Sequence, residues 1–312
     1  MTSFALSPKY EQLVFAAFVP VYACAYAAYG FRVLNIAAVC LLTGLIVDGI
    51  ASVLTRPRFG RFSWLTWFFF PLILPPGVPF WAASVGLAVG LVFAVHFFGG
   101  YGRNLFNPVI LGLVFLLLGY HPSMQGSFCL PYASPPDFSH SDHIGRGIGQ
   151  SLRAFLAEHA DRITRSDVCF GRVPNLAGGS FPVLLMCLLI LLLAVRAIDY
   201  RWPLGVIFGY SLLLSLGRIT FPWLQLPSFF YLLSGTFWLV TIVASVDTFS
   251  LPRTIVARWI CGFFAGGLGV ILLAGSYATF SVFFAVLCAQ TIGPLVDQWV
   301  LSVKYSGRWS KE

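Results

Sequence analysis

Charge is what this sequence has least of. Of its 312 residues, 10% are Asp, Glu, Lys or Arg and 58% are hydrophobic, against roughly 25% charged in a soluble domain. That shortage excludes an ordinary water-facing surface. A soluble core this apolar would also need polar faces at helical spacing, and the apolar runs have none. Cysteine is present seven times but without the paired spacing that iron–sulfur ligation requires. There is no sign of a dinucleotide-binding fold. The first apolar run lacks a basic leading region and a small-residue cleavage site, so no cleavable signal peptide is expected.

What is present is a series of apolar stretches long enough to cross a bilayer core of ~30 Å. They fall near residues 12–30, 34–54, 63–76, 80–98, 107–120, 181–197, 203–217, 225–245, 256–274 and 279–301. The third and fifth are short and bounded or broken by Pro and Gly: Pro71, Pro75, Pro76 and Gly77 in one, Asn107 and Pro108 in the other. Pro75-Pro76-Gly77 reads equally as a surface turn or as a break inside the membrane, and the latter needs protein around the freed backbone.

The basic residues set the orientation. With the N-terminus inside, the inner segments hold Lys9, Arg56, Arg58, Arg61, Arg103, Arg196, Arg201, Arg253, Arg258, Lys304, Arg308 and Lys311, and the short outer turns hold only Arg32 and Arg218. Both termini are therefore expected in the cytoplasm of a cell whose inner membrane carries the chain. The formal net charge of +8 follows from this topology and asks for no nucleic-acid partner.

The expected fold is an all-α polytopic membrane protein of about ten transmembrane helices. Residues 1–120 and 181–312 would form two five-helix repeats of inverted topology, with short or broken helices, around an extracytoplasmic segment 121–180. Any ligand is expected near the interface of the halves. Within 121–180, residues 145–162 can form an amphipathic helix with Ile148, Leu152, Phe155 and Leu156 on one face. Four of the five histidines lie here, His121, His140, His143 and His159, at spacings that match no metal-ligand motif. No metal site is expected. Cys129 and Cys169, the two cysteines outside the apolar spans, would be free to pair in an oxidising compartment. Cys24, Cys40, Cys187, Cys261 and Cys288 read as small hydrophobes inside spans.

The segment least like membrane helix is 98–108, F-G-G-Y-G-R-N-L-F-N-P. Gly99, Gly100 and Gly102 allow close approach of backbone or a flat ligand. Asn104 and Asn107 are three apart and would share a face on a helix, where two carboxamides can bond the edge of a heteroaromatic ring. Asn107 also suits a helix cap before Pro108. Intramembrane acids are functional candidates because a carboxylate in a bilayer is costly. Asp48, Asp247 and Asp297 qualify, all near the inner ends of spans. Asp247 reads as a cation site, a proton site or a helix cap, and Asp297 as a structural acid.

In order and spacing, L-P-P-G-V-P-F-W (74–81), F-G-G-Y-G-R-N-L-F-N-P (98–108) and H-P-S-M-Q-G (121–126) resemble the NqrB/RnfD family. S-V-D-T-F-S (245–250) stands where that family has A-T-D-P-V-S, and A-Q-T-I-G-P-L-V-D (289–297) where it has A-N-x-x-A-P-x-x-D. The resemblance implies a subunit that passes electrons through the membrane on bound flavin, in complexes that couple redox chemistry to Na⁺ or H⁺ movement. It implies a non-covalent flavin, riboflavin or FMN, at Asn104 and Asn107 with Gly99, Gly100 and Gly102. It also implies partners: other membrane and peripheral subunits, since this chain cannot oxidise NADH alone.

The departures from the family pattern matter as much. Its second flavin is an FMN joined to Thr in S-G-A-T within the outer loop, and no S-G-A-T occurs here. The nearest fragments, Asp137-Phe138-Ser139 and Asp161-Arg162-Ile163-Thr164, lack the Gly-Ala-Thr. Covalent flavin is therefore not expected, and the electrons would pass to a separate extracytoplasmic flavoprotein or another carrier. The segment V-P-N-L-A-G-G-S (173–180) has lost the family's acid, and the basic residue expected before F-G-G is replaced by Val95 or His96. Inverted repeats with broken helices equally suit a small-solute transporter or channel, and a scaffold that has lost its cofactors is a third reading.

Overall fold

The computed structural model describes residues 8–55, 63–121, 124, 126–129, 131–132, 165–220, 231–273 and 280–309. Ten helices lie close to the ten apolar stretches: α1 Pro8–Tyr29, α2 Phe31–Thr55, α3 Trp64–Phe69 running into a 3₁₀ turn Phe70–Ile73, α4 Phe80–Gly90 running into a π turn Leu91–His96, and α5 Pro108–Gly119, then α6 Pro182–Ala194, α7 Arg201–Thr220, α8 Gly235–Val246, α9 Ile255–Leu272 and α10 Ser281–Trp309. A five-residue helical turn, Arg165–Cys169, and a 3₁₀ turn, Ala177–Gly179, precede α6. Among the described residues there is no strand.

Four helices (α1, α2, α9 and α10) are long and apolar enough to cross a membrane, and five shorter apolar helical segments accompany them. Their outward faces carry large apolar side chains that a soluble protein would hide: Ile46 is 61% exposed, Val53 82%, Leu118 65% and Ile190 65%. With lipid as the solvent that exposure costs nothing. The chain is an all-α polytopic membrane protein.

The two halves repeat one scheme of helix pairing. In the first, α1 packs on α3, α2 on α4 and α4 on α5; in the second, α6 packs on α8, α7 on α9 and α9 on α10. Aromatic rings hold α1 to α3, with Phe18 and Phe69 centroids 4.6 Å apart and Tyr22 Oη donating to Phe68 O at 2.6 Å. The α7–α9 crossing depends on small residues. A methyl group added at Gly209 would collide with Phe263 O, and one at Gly266 with Val206 O. Only glycine lets these two backbones meet, the packing logic of membrane helices that lack a hydrophobic driving force.

The Pro/Gly break at 74–79 is no surface turn. Residues 74–78 are all buried, and other parts of the chain take up the backbone groups the prolines release. Gly77 N donates to Ser127 O at 2.8 Å, and Leu74 O accepts from Ala177 N at 3.0 Å. The partner of this break is thus the stretch leading into α6. There Asn175 Oδ1 accepts from Leu176 N at 2.8 Å and Thr236 Oγ1 at 2.7 Å, and Ser180 Oγ donates to Tyr29 Oη at 3.0 Å. This is the condition under which irregular backbone survives at membrane depth.

Cys129 and Cys169 are both free thiols in the structure. Cys129 Sγ instead donates to Ser127 O at 3.7 Å. The helix read over 145–162, the fragments near Ser139 and Thr164, and His140, His143 and His159 lie outside the described residues.

Candidate cofactor site

Residues 97–107 leave the helical path altogether. After the π turn, Gly99, Gly100 and Gly102 take φ of +94°, +105° and +93°, a region L side chains rarely enter. The glycines are there for the backbone's own path. Asn104 and Asn107 consequently do not share a helical face, and the two carboxamides point to different tasks.

Asn107 caps α5. Its Oδ1 accepts from Val109 N at 3.0 Å and Ile110 N at 3.3 Å, and its Nδ2 donates to Val243 O at 3.3 Å on α8. Its backbone N–H donates to Gln290 Oε1 at 3.0 Å on α10. One residue therefore pins α5, α8 and α10 together.

Asn104, 3% exposed, reaches the turn after α8. Its Nδ2 donates to Asp247 Oδ2 at 2.9 Å and Ser250 Oγ at 2.8 Å, with a longer contact of 3.3 Å to Phe106 O. Ser250 Oγ in turn donates to the same Asp247 oxygen at 2.6 Å, and Phe249 N donates to Asp247 Oδ1 at 3.3 Å. The Asn motif of one half and the S-V-D motif of the other thus form one hydrogen-bonded cluster. Asp247 serves as a cap-like turn residue and as the bridge between the halves.

Two cavities flank this cluster. The smaller, about 20 Å³ between Thr66, Tyr101, Asn107 and Asp247, has room for one water molecule. The larger, about 560 Å³, is walled by Gly102, Arg103 and Asn104, by Ser250 to Arg253, and by Gln290, Asp297 and Gln298 of α10. That volume lies within the range of small-molecule and cofactor sites. Gln290, 1% exposed, has a carboxamide nitrogen without a hydrogen-bond partner. A buried unpaired N–H₂ on the wall of a cavity is costly and suits an acceptor on a ligand. The donor set fits the carbonyl edge of a flavin ring.

The other acids of the apolar spans are committed elsewhere. Asp297 accepts from Arg253 N at 2.7 Å, Thr254 N at 2.8 Å and Thr254 Oγ1 at 2.7 Å, which fixes the turn before α9 to α10. Asp48 accepts from Ser63 N at 2.7 Å and lies 2.7 Å from His96 Nε2. In the turn before α7, Asp199 binds Arg201 at 2.9 Å and also Arg258, whose Nε donates to Pro252 O at 2.7 Å. Burial pushes the Asp199 carboxyl up, but hydrogen bonds from Arg201 N and Arg258, with both positive charges, together hold it below the ordinary value. Among the described residues no group of three metal-ligating side chains comes together.

None of Gln290, Ser250 and Arg253 stands out as a site residue in the sequence alone. A glutamine inside an apolar span is nonetheless a usable signal, because its carboxamide must find partners. The pairing of His96 with Asp48 has no such signal, since the two are 48 residues apart.

Comparison with known proteins supplies the relatives of this chain. It is 26% identical over 281 residues to the Na(+)-translocating NADH-quinone reductase subunit NqrB of Yersinia pestis, covering 88% of this chain and 68% of the relative. It is 27% identical over 281 residues to the subunit of the same name from Klebsiella pneumoniae (strain 342), covering 86% and 68%. The Ectopseudomonas mendocina subunit is 25% identical over 283 residues, covering 89% and 69%. Residues 7–306 match the NQR2, RnfD, RnfE family, and the chain belongs to that family.

Proposed function

We propose that this protein is the membrane electron-transfer subunit of an Nqr/Rnf-like complex, holding one non-covalent flavin in the larger cavity. The observation that carries the reading is the Asn104–Asp247–Ser250 cluster. It joins the two motifs that resemble the family's flavin subunits across the interface of the halves, and it borders a cavity of cofactor size. When bound, the flavin supplies reversible electron transfer; the protein supplies position and electrostatics. Asn104 and Gln290 present carboxamides at the buried end of the cavity. Gly99, Gly100 and Gly102 shape the loop that brings Asn104 there, and Asn107 holds that loop to α8 and α10.

On this reading the chain lies in the cytoplasmic membrane with both termini inside, and the cavity opens toward the cytoplasm. Other membrane and peripheral subunits deliver electrons, and a separate extracytoplasmic flavoprotein receives them, in a complex that moves Na⁺ or H⁺. The matching pairing of α1–α5 and α6–α10 supports two inverted repeats with the ligand at their interface.

The test is to purify the protein in detergent, denature it and separate released from retained flavin. Released flavin is expected, and Asn104→Leu should reduce it several-fold. Flavin retained on the polypeptide would contradict the non-covalent assignment. Colourless protein that carries a solute across liposomes would replace the whole reading with transport, which the broken helices also suit.

A further inference from the structure

We propose that the cavity takes its flavin in phosphorylated form, with the ring on the buried polar floor and the phosphate at a cationic mouth formed by Arg103 and Arg253. The inference rests on the flavin reading above and names the member of the class that the walls select.

Both walls have the same polarity. On the first, Asn104 is 3% exposed and its neighbour Arg103 is exposed; on the second, Ser250 is 5% exposed and Arg253 is exposed. Gln290, 1% exposed, completes the floor from α10. Polar neutral groups thus line the enclosed end and guanidinium groups the open end of one continuous cavity. Asp297 is the single acid among the lining residues, and its oxygens already accept from Arg253 N, Thr254 N and Thr254 Oγ1. It therefore does not cancel the mouth's positive charge in full.

A flavin bearing only a sugar alcohol makes no use of two guanidiniums. A phosphate monoester does, because it carries about −1.5 to −2 charges at neutral pH, and Arg presents a planar fork that matches phosphate oxygens. Charge placement on the inner face of the membrane accounts for basic residues in general. It does not account for two of them at the mouth of a cavity whose floor is neutral and buried. An anionic phospholipid headgroup shares the phosphate chemistry and is the competing occupant.

The experiment uses the protein extracted with its associated subunits. After denaturation, released flavins are separated by chromatography and the lipid fraction is analysed alongside. Flavin mononucleotide as the main released flavin is the expected result. Riboflavin as the main flavin, with or without co-purified anionic phospholipid, overturns the inference and leaves the flavin reading intact. Absence of any flavin overturns the flavin reading itself.

In a second arm, flavin-stripped protein is titrated with FMN and with riboflavin by fluorescence quenching. Arg253→Gln should weaken FMN about tenfold, the size of one lost charge-assisted contact, and change riboflavin by less than about twofold. Arg253 contributes to the fold through its backbone N–H on Asp297, which the Gln variant keeps. Equal weakening of both ligands, or no weakening of either, refutes the phosphate assignment.

Discussion

Replacing Asn107 separates the scaffold from the ligand site, because its side chain works for the chain alone. Asn107→Ala removes the acceptor for Val109 N and Ile110 N, a cap loss of about 1 kcal/mol. It also removes the donor to Val243 O, worth roughly another 0.5–1.5 kcal/mol. The sum is about 2 kcal/mol, or roughly 4–8 °C in Tm at the 2–4 °C per kcal/mol of larger domains. Asn107→Ser restores an acceptor oxygen without the second donor, so it should recover about half of that loss. The assay is thermal unfolding of the purified protein in detergent, followed by tryptophan fluorescence. An unchanged midpoint in Asn107→Ala, or a Ser variant no better than Ala, would refute the cap assignment.

Other perturbations reach other parts of the same scaffold. Gly100→Ala places a methyl-bearing residue at φ +105° and should cost about 1–3 kcal/mol, seen as faster proteolysis of the 97–107 loop. Gly209→Val puts side-chain atoms into the space that Phe263 O occupies, which should prevent close α7–α9 packing and lower the yield of folded protein in membranes severalfold. Asp199 has a depressed carboxyl, so its stabilisation is fully present above the unfolded value near pH 4 and is lost as pH falls through its lower native value. Asp199→Asn should therefore be less stable than the parent at pH 7, with the gap closing below about pH 4 in a series of melts.

Composition alone makes the membrane class legible, and the spacing of apolar runs places the helices within a few residues. The third and fifth stretches show why length alone is a poor guide. α3 with its 3₁₀ turn and α5 are short, and what makes them tolerable is burial of 74–78 against Ser127 and Ala177, contacts no local pattern reveals. The 98–108 motif stands out in sequence, yet its conformation does not. The spacing of Asn104 and Asn107 suggests a shared helical face, whereas three positive φ values turn the segment into a loop and send the two carboxamides apart. Asp247 is visible as a costly intramembrane acid, but its partner lies 143 residues away. Gln290 is visible only as a carboxamide in an apolar span, and its role exists only once α5 and α10 are adjacent.

The cavity's walls come from residues 98–105, 249–253 and 290–301, so no nascent chain possesses it until synthesis is nearly over. Earlier helices enter the bilayer without any site to fill. Cofactor loading is thereby deferred to the finished subunit, and a chain interrupted before its tenth helix has nothing with which to capture a flavin. Flavin content then reports completed insertion, and colour becomes a readout of biogenesis as well as of redox state.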